Sequence, residues 1–94
     1  MPKPTGSSPT LAVIPNPVPL GSTSITVAGT GFKRNSIVLL DFSHERAPEV
    51  TTDDSGNFAY VHNYTYGIGN AAVNAFVQKN REWVKVATAY FTIA

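Results

Sequence analysis

The chain has 94 residues, the length of one small domain, and its charged content of 14% is well below the usual quarter. Its formal net charge is +1, and the basic residues are scattered apart from the adjacent Lys33 and Arg34. A general nucleic-acid binder needs a clustered basic face, so we expect no nucleic-acid partner. The absence of cysteine excludes disulfides, thiolate catalysis and cysteine zinc sites.

The first nine residues are rich in proline and serine and lack a strand or helix pattern. They also lack the apolar core of a signal peptide, and no apolar run in the chain reaches membrane-spanning length. We therefore predict a flexible N-terminal segment over residues 1–9, a folded domain over residues 10–94, and no membrane insertion.

Seven or eight short strand signals follow, separated by turn signals every eight to twelve residues, which is typical of an all-β sandwich. The main predicted strands cover residues Thr10–Ile14, 22–29, 36–42, 49–52, 58–64, 70–78 and 83–93. Good helix formers over 70–83 make a helix the rival interpretation there, but the β-branched residues favour a strand hairpin around the turn "KNRE".

Period-two alternation predicts which side chains face the core. The third strand has apolar residues on both faces and is therefore expected in the centre of a sheet. The segment "PNPVPLG" interrupts the first strand pattern with three prolines, which a central strand excludes. Three sets of residues each share one face of a predicted strand, and the end of the last strand is expected to face the core with Ala89, Phe91 and Ile93. The sets are Val38, Leu40 and Phe42; Phe58, Tyr60 and His62, with His62 expected to be half-buried and hydrogen-bonded; and Val73, Ala75 and Val77.

The stretch "PNPVPLGSTSITVAGTGFKRNSIVLLDF" resembles the opening of immunoglobulin-like domains of the bacterial and phage IPT/TIG type, and "TTDDSGNFAYVH" resembles a turn that precedes a late strand in such modules. The resemblance covers residues 10–94 and implies an immunoglobulin-like β-sandwich of about seven antiparallel strands in two sheets. The residues that carry it are Pro19, Gly21, Ser22, Ile25, Val27, Gly29, Gly31, Phe32, Asp53 or Asp54, Gly56 and Phe58.

The resemblance also implies a non-catalytic role. Modules of this type act as spacers, decorations or weak glycan binders on bacterial surfaces and on bacteriophage capsids and tails. We therefore expect a virion accessory domain at the virion surface, docked on capsid or tail proteins. The alternatives are a spacer or binding module next to other modules of an extracellular or cell-surface protein, and a carbohydrate-binding domain attached to an enzyme. A cell-surface glycan is the expected small partner, and no cofactor is expected.

Gly29-x-Gly31 followed by Lys33 and Arg34 invites comparison with a phosphate-binding loop. Such a loop needs a helix N-terminus aimed at the phosphate, whereas a strand pattern follows here. We interpret the two glycines as a sheet corner with positive φ or a bulge. Lys33 and Arg34 remain candidates for binding an acidic partner.

Metal and catalytic patterns are incomplete. His44-Glu45 lacks the second histidine of a zinc motif, because Pro48 occupies that place, and "DDSGN" lacks calcium-loop spacing and is explained by a turn. Asp41, Ser43 and His44 are sequence neighbours on a strand, where adjacent side chains such as those of Ser43 and His44 point to opposite faces, so they cannot easily form a relay. We predict no metal site and no enzyme activity.

Exposed aromatic residues are the better lead, because tyrosine and tryptophan bind sugar rings and protein partners. Tyr64 and Tyr66 flank a glycine-containing loop, and Arg81 and Trp83 lie at the "KNRE" turn. These four residues join Lys33 and Arg34 as the predicted binding residues. The structural alternative is that Tyr64 forms a tyrosine corner, with its hydroxyl hydrogen-bonded to the backbone, and that Trp83 caps one end of the sandwich.

Overall fold

The computed structural model describes residues 8–42 and 47–94. Each pair of neighbouring strands is antiparallel, in sheets of order β1-β2-β5 and β4-β3-β6-β7. This confirms the predicted all-β sandwich, and residues 70–83 belong to the β6–β7 hairpin, not to a helix. The strands are β1 (Thr10–Ile14), β2 (Ser24–Thr30), β3 (Ile37–Asp41), β4 (Glu49–Thr51), β5 (Phe58–Asn63), β6 (Gly69–Lys79) and β7 (Glu82–Ile93).

The chain crosses between the two sheets after β2, after β4 and after β5. In constant-type immunoglobulin domains the fourth strand joins the first sheet. Here β4 pairs with β3 in the second sheet, with Ile37 opposite Thr51. As predicted, β3 is therefore a central strand, between β4 and β6.

The core lies between the inner faces of the sheets, where the predicted alternation is confirmed. Burying a side chain of the size of valine, leucine or phenylalanine contributes roughly 1.5–3 kcal/mol, so this one layer dominates the stability. Each set predicted to share a face lies on the inner side of a sheet. The buried members are Val38, Leu40, Phe42, His62, Val73, Ala75, Ala89, Phe91 and Ile93, and Phe58, Tyr60 and Val77 pack against them partly exposed.

The proline-rich segment after β1 returns to the second sheet, which the sequence did not predict. Val18 is buried and forms a parallel bridge with Ile93 at the end of β7. Its N–H donates to the carbonyl oxygen of Thr92 at 2.8 Å, and its own carbonyl accepts from the N–H of Ala94 at 3.1 Å. The flanking prolines have no N–H, but the pairing uses only the N–H groups of Val18 and of Leu20, which donates to the carbonyl oxygen of Ala94 at 3.1 Å.

A β-bulge in the β6–β7 hairpin reverses the direction of the side chains near the turn. Ala75 pairs with Ala87 while Phe76 pairs with Lys85, so Val86 is an extra residue in β7. If Val86 were paired regularly instead of bulging, the alternation that buries Ala89 would also turn Lys85 and Trp83 toward the core. The bulge instead places Trp83 and Lys85 on the outer face of the four-stranded sheet.

The two ends of the sandwich are built from different loops. We refer to the end with the β2–β3 corner (31–36), the β4–β5 turn (52–57) and the β6–β7 turn as the hairpin end. The opposite end carries the segment 15–23 and the β5–β6 loop (64–68). The seven residues of β2 separate the two ends by roughly 20 Å at 3.3 Å per residue.

Candidate functional site

The β2–β3 corner carries Lys33 and Arg34 on a backbone turn that leads into a strand. Gly31 has a φ of +77° and Asn35 a φ of +52°, values that glycine and asparagine tolerate best. The predicted sheet corner is confirmed at Gly31. Gly29 is not in a positive-φ conformation and its pairing with β5 is regular, so the expectation of a positive φ or a bulge at Gly29 is wrong.

Gly29 is required for a different reason. It lies opposite Phe58 in the β2–β5 ladder, and a Cβ at Gly29 would lie 2.1 Å from the Phe58 ring. Phe58 thus covers the missing side chain, as aromatic residues do beside glycines in other sheets. The ring of Phe32 then packs on Phe58 with centroids 5.4 Å apart.

The β4–β5 turn is joined to this corner through Gly56. The N–H of Phe32 donates to the carbonyl oxygen of Gly56 at 3.2 Å. Gly56 has a φ of +79°, and a Cβ there would lie 2.1 Å from the carbonyl oxygen of Phe32. The two sequence motifs that carry the resemblance therefore meet in one structural joint at the hairpin end.

Thr52 fixes the same joint from inside. Its buried hydroxyl accepts from the N–H of Ser36 at 2.9 Å and donates to the carbonyl oxygen of Lys33 at 2.6 Å. The N–H of Thr52 also donates to the carbonyl oxygen of Ser36 at 2.9 Å. The backbone of Lys33 is therefore held in place while its side chain is exposed. Sequence reasoning missed Thr52, because a threonine at a strand end carries no signal of its distant partners.

Asp53 organises the β4–β5 turn. One carboxylate oxygen, Oδ1, accepts from the N–H of Asn57 and from the N–H of Ser55, both at 2.9 Å. These two hydrogen bonds stabilise the charged carboxylate and hold the pKa of Asp53 below its usual value, and the bond from Asn57 has the larger effect. The predicted turn is thus formed. Among the described residues, no group of three or more His, Asp or Glu side chains could hold a metal ion.

The β6–β7 turn presents Arg81 and Trp83. Asn80 has a φ of +50° and Arg81 a φ of +69°, with Lys79 paired to Glu82, which is the geometry of a two-residue type I′ hairpin. Glycine is the preferred residue at the place of Arg81, since a side chain there costs roughly 1–2 kcal/mol. Trp83 lies next to this turn and is 40% exposed.

A cleft of about 680 Å³ with a mixed apolar and polar lining opens at the hairpin end, between the start of β1, the β2–β3 corner and the β6–β7 hairpin. This volume is in the range of ordinary ligand sites. Apolar side chains form much of its wall, and two lysines lie among the polar ones. The lining residues are Pro9, Phe32, Lys33, Asn35, Ser36, Ile37, Val77, Gln78, Lys79 and Val86.

The charges of the described residues are unevenly distributed along the sandwich. Four of the five described lysines and arginines lie at the hairpin end, together with the acids Asp53, Asp54 and Glu82. Lys85 and Glu49 lie farther along the sheet, in one row of strand pairs, and Asp41 lies beyond them. Four cations against three acids leave the hairpin end with a formal charge of +1. The cations are Lys33, Arg34, Lys79 and Arg81.

Tyr64 and Tyr66 lie at the opposite end and do not join this site. Their rings contact edge to face at 4.7 Å, and the ring of Tyr66 meets that of Phe91 at 5.3 Å. The hydroxyl of Tyr66 is buried, whereas Tyr64 is 39% exposed and donates its N–H to the carbonyl oxygen of Thr23 at 3.1 Å. Tyr66 is therefore part of the packing, and only Tyr64 could contact a ligand.

His62 belongs to the same aromatic cluster. The sequence suggested a half-buried histidine, but His62 is fully buried and its ring stacks on Phe42 at 3.8 Å with an interplanar angle of 6°. The cluster of Phe42, His62, Tyr64, Tyr66 and Phe91 closes the opposite end of the core.

Several sequence hypotheses fall outside the described residues. Ser43, His44 and Glu45, considered for a relay or a zinc site, lie between residues 42 and 47, and the predicted flexible segment is described only at Ser8 and Pro9. No helix in the described ranges is long and apolar enough to cross a membrane. Comparison of the chain with protein-family models, curated proteins and solved structures found no match.

Proposed function

We propose that this chain is a non-catalytic immunoglobulin-like accessory domain of the IPT/TIG type. In a bacteriophage virion it would serve as a capsid decoration or tail protein that aids attachment to the host surface. The strand order and the joint of Phe32, Gly56 and Phe58 support the immunoglobulin-like assignment, because the motif residues serve the turn structure. The virion assignment rests on the resemblance of the sequence to such modules.

One observation carries the binding role: a basic, strained hairpin lies beside a cleft at one end of a neutral sandwich. Arg81 keeps a positive φ at the tip, where glycine would avoid the conformational cost. Strain of this kind at an exposed tip supports a contact role for the side chain. Arg81, Trp83 and the two cleft lysines are then the binding residues.

The alternative is a spacer or weak glycan- or protein-binding module of a bacterial secreted or cell-surface protein. It is supported by the course of the chain: β1 begins at the hairpin end and β7 finishes at the opposite end of a domain whose longest dimension is 46 Å. Modules with this geometry can follow one another in an extended row.

Immunogold electron microscopy with an antibody against the folded domain separates the two assignments. We expect label on phage particles released from cells that encode the chain, and on purified particles after density-gradient separation. Label confined to the surface of cells that release no particles would replace the virion assignment with the cell-surface module.

A glycan array tests the attachment role. If the host contact is a surface glycan, Tyr64→Ala or Trp83→Ala should lower the amount of domain retained on the array several-fold. The reason is that packing of the sugar ring against one exposed aromatic ring supplies much of the affinity. Tyr90→Ala is the matched control, since Tyr90 is an exposed aromatic residue on the outer face of the four-stranded sheet, outside the loops that carry Tyr64 and Trp83. Retention that none of these variants changes would remove the glycan role.

A further inference from the structure

One wall of the cleft at the hairpin end is formed by apolar side chains that the core holds in place. Phe32 is buried beneath it, and Val77 and Val86 pack against the core, so these side chains are already held in place before any ligand arrives. Ile37, which is 49% exposed, extends the apolar wall toward solvent. An apolar side chain of a partner could be buried here with little reorganisation.

Two lysines border this wall from different elements. Lys33 comes from the β2–β3 corner, whose backbone Thr52 fixes, and Lys79 comes from the last position of β6. Arg34 and Arg81 lie at the corner and the turn next to them. In the described parts of the chain, none of these four cations is held in an ion pair. Their charges are available to an anionic partner.

The acids at the same end limit what that partner can be. Asp53, Asp54 and Glu82 lie on the turns beside the cations, so a dense polyanion such as a nucleic acid would meet repulsion along its length. A cluster of uniform basic charge, which nucleic-acid binding requires, is absent from the described surface. A partner that carries a few separate carboxylates around one apolar group fits this mixture of charges better than a dense polyanion does.

We propose that the cleft at the hairpin end binds an acidic segment of a partner protein. One apolar side chain of the segment enters the cleft, and flanking carboxylates pair with Lys33 and Lys79. This inference rests on the proposed role as a binding domain, and it adds the surface used and the chemistry of the partner.

A random-peptide array probed with the labelled domain tests the proposal. We expect the retained peptides to be enriched in Asp and Glu around one aromatic or aliphatic residue. The best of them, made synthetically, should bind saturably, with the fluorescence of Trp83, the only tryptophan, as the reporter. Its affinity should fall with added salt, since the ion pairs are exposed.

Two variants separate the charged and apolar parts of the site. Lys33→Ser with Lys79→Ser should weaken binding of the selected peptide about five-fold, the size expected for losing two exposed ion pairs. Ile37→Ser should weaken it by a similar factor through the apolar wall. Lys85→Ser is the matched control, because Lys85 lies on the outer face outside the cleft and its loss should change binding less than two-fold.

Three results would overturn the proposal: no acidic enrichment among retained peptides, an equal loss of affinity in Lys85→Ser, or equal competition by heparin or an oligonucleotide without apolar groups. The last result would identify a general anion surface. Immunogold labelling of particles does not depend on peptide binding in the cleft. A wrong cleft proposal and a wrong virion assignment would therefore give different observations.

Discussion

The two ends of this sandwich are closed in different ways. At the opposite end, Phe42 and His62 stack face to face, and Tyr66 and Phe91 contact edge to face, so aromatic rings fill the space between the sheets. At the hairpin end, hydrogen bonds of Thr52 and Gly56 join the turns, and a cleft remains between the corner and the hairpin.

This difference separates stability from binding. Ring packing buries large apolar area and leaves little for a ligand to contact, so the opposite end contributes mainly to stability. Hydrogen bonds between turns fix the backbone without filling the space above it, which leaves charged side chains and the cleft exposed. If the two ends are independent in this sense, a substitution at one end should leave the structure of the other end unchanged.

The largest effect is expected for Phe91→Ala at the opposite end. Phe91 is buried and supports Tyr66, so its truncation should lower the free energy of unfolding by about 3–5 kcal/mol. Urea unfolding followed by circular dichroism measures this. Tyr90→Ala is the neighbouring control, because Tyr90 is 79% exposed and its loss should cost under about 1 kcal/mol.

The same variant tests the independence of the ends. Under folding conditions the emission maximum of Trp83, which lies at the hairpin end, should stay where it is in Phe91→Ala. A shift of that maximum in the folded variant would show that the two ends are coupled through the core, and the comparison would fail.

Gly56→Ala should give the next largest effect, at the hairpin end. The added Cβ meets the carbonyl oxygen of Phe32, and φ is +79°, so we expect a loss of about 2–4 kcal/mol. Thermal unfolding measures it. Gly67→Ala is the control, since a Cβ at Gly67 meets nothing within 4 Å. Equal stabilities of the two variants would mean that the joint between the turns contributes little.

Arg81→Gly should stabilise the chain. Glycine removes the cost of a positive φ at the hairpin tip, and a larger entropy of the unfolded chain offsets part of the gain, leaving about 0.5–1 kcal/mol. Arg81→Ala, which lacks the guanidinium but keeps the strained backbone, should not be stabilised. If both variants raise the melting temperature equally, the charge of Arg81 and not its backbone is responsible.

Asp53→Asn should give the smallest change, visible in the pH dependence of stability. Because the folded chain lowers the pKa of Asp53 below 3.8, the carboxylate stabilises the fold above that pH and loses its contribution as the pH falls through the folded pKa. The melting temperature of Asp53→Asn should therefore be lower than that of the unaltered chain near neutral pH, with the difference shrinking below about pH 4. Asp54→Asn leaves both N–H hydrogen bonds to the Asp53 carboxylate intact and should therefore not show this pH dependence.

Much of the fold could be predicted because its signals are local. Alternation over three to five residues is enough to assign Val38 and Leu40, or Phe91 and Ile93, to the core. Positive φ at Gly31 and the tight turn at Asn80 also follow from neighbouring residues. The site was harder to predict: Lys33, Arg34, Arg81 and Trp83 share one end, while Tyr64 and Tyr66 lie at the other.

The amino-acid sequence by itself determined the strands, their inward faces and the turns, because each depends on residues that are close along the chain. Only the tertiary structure decided that Val86 is an extra residue that turns Trp83 outward, and that Thr52 holds the corner beneath Lys33. It also decided that Val18 returns to β7 and that Tyr66 is covered by Phe91. These features depend on which strands become neighbours, and pairing between residues far apart in the chain leaves no local pattern to read.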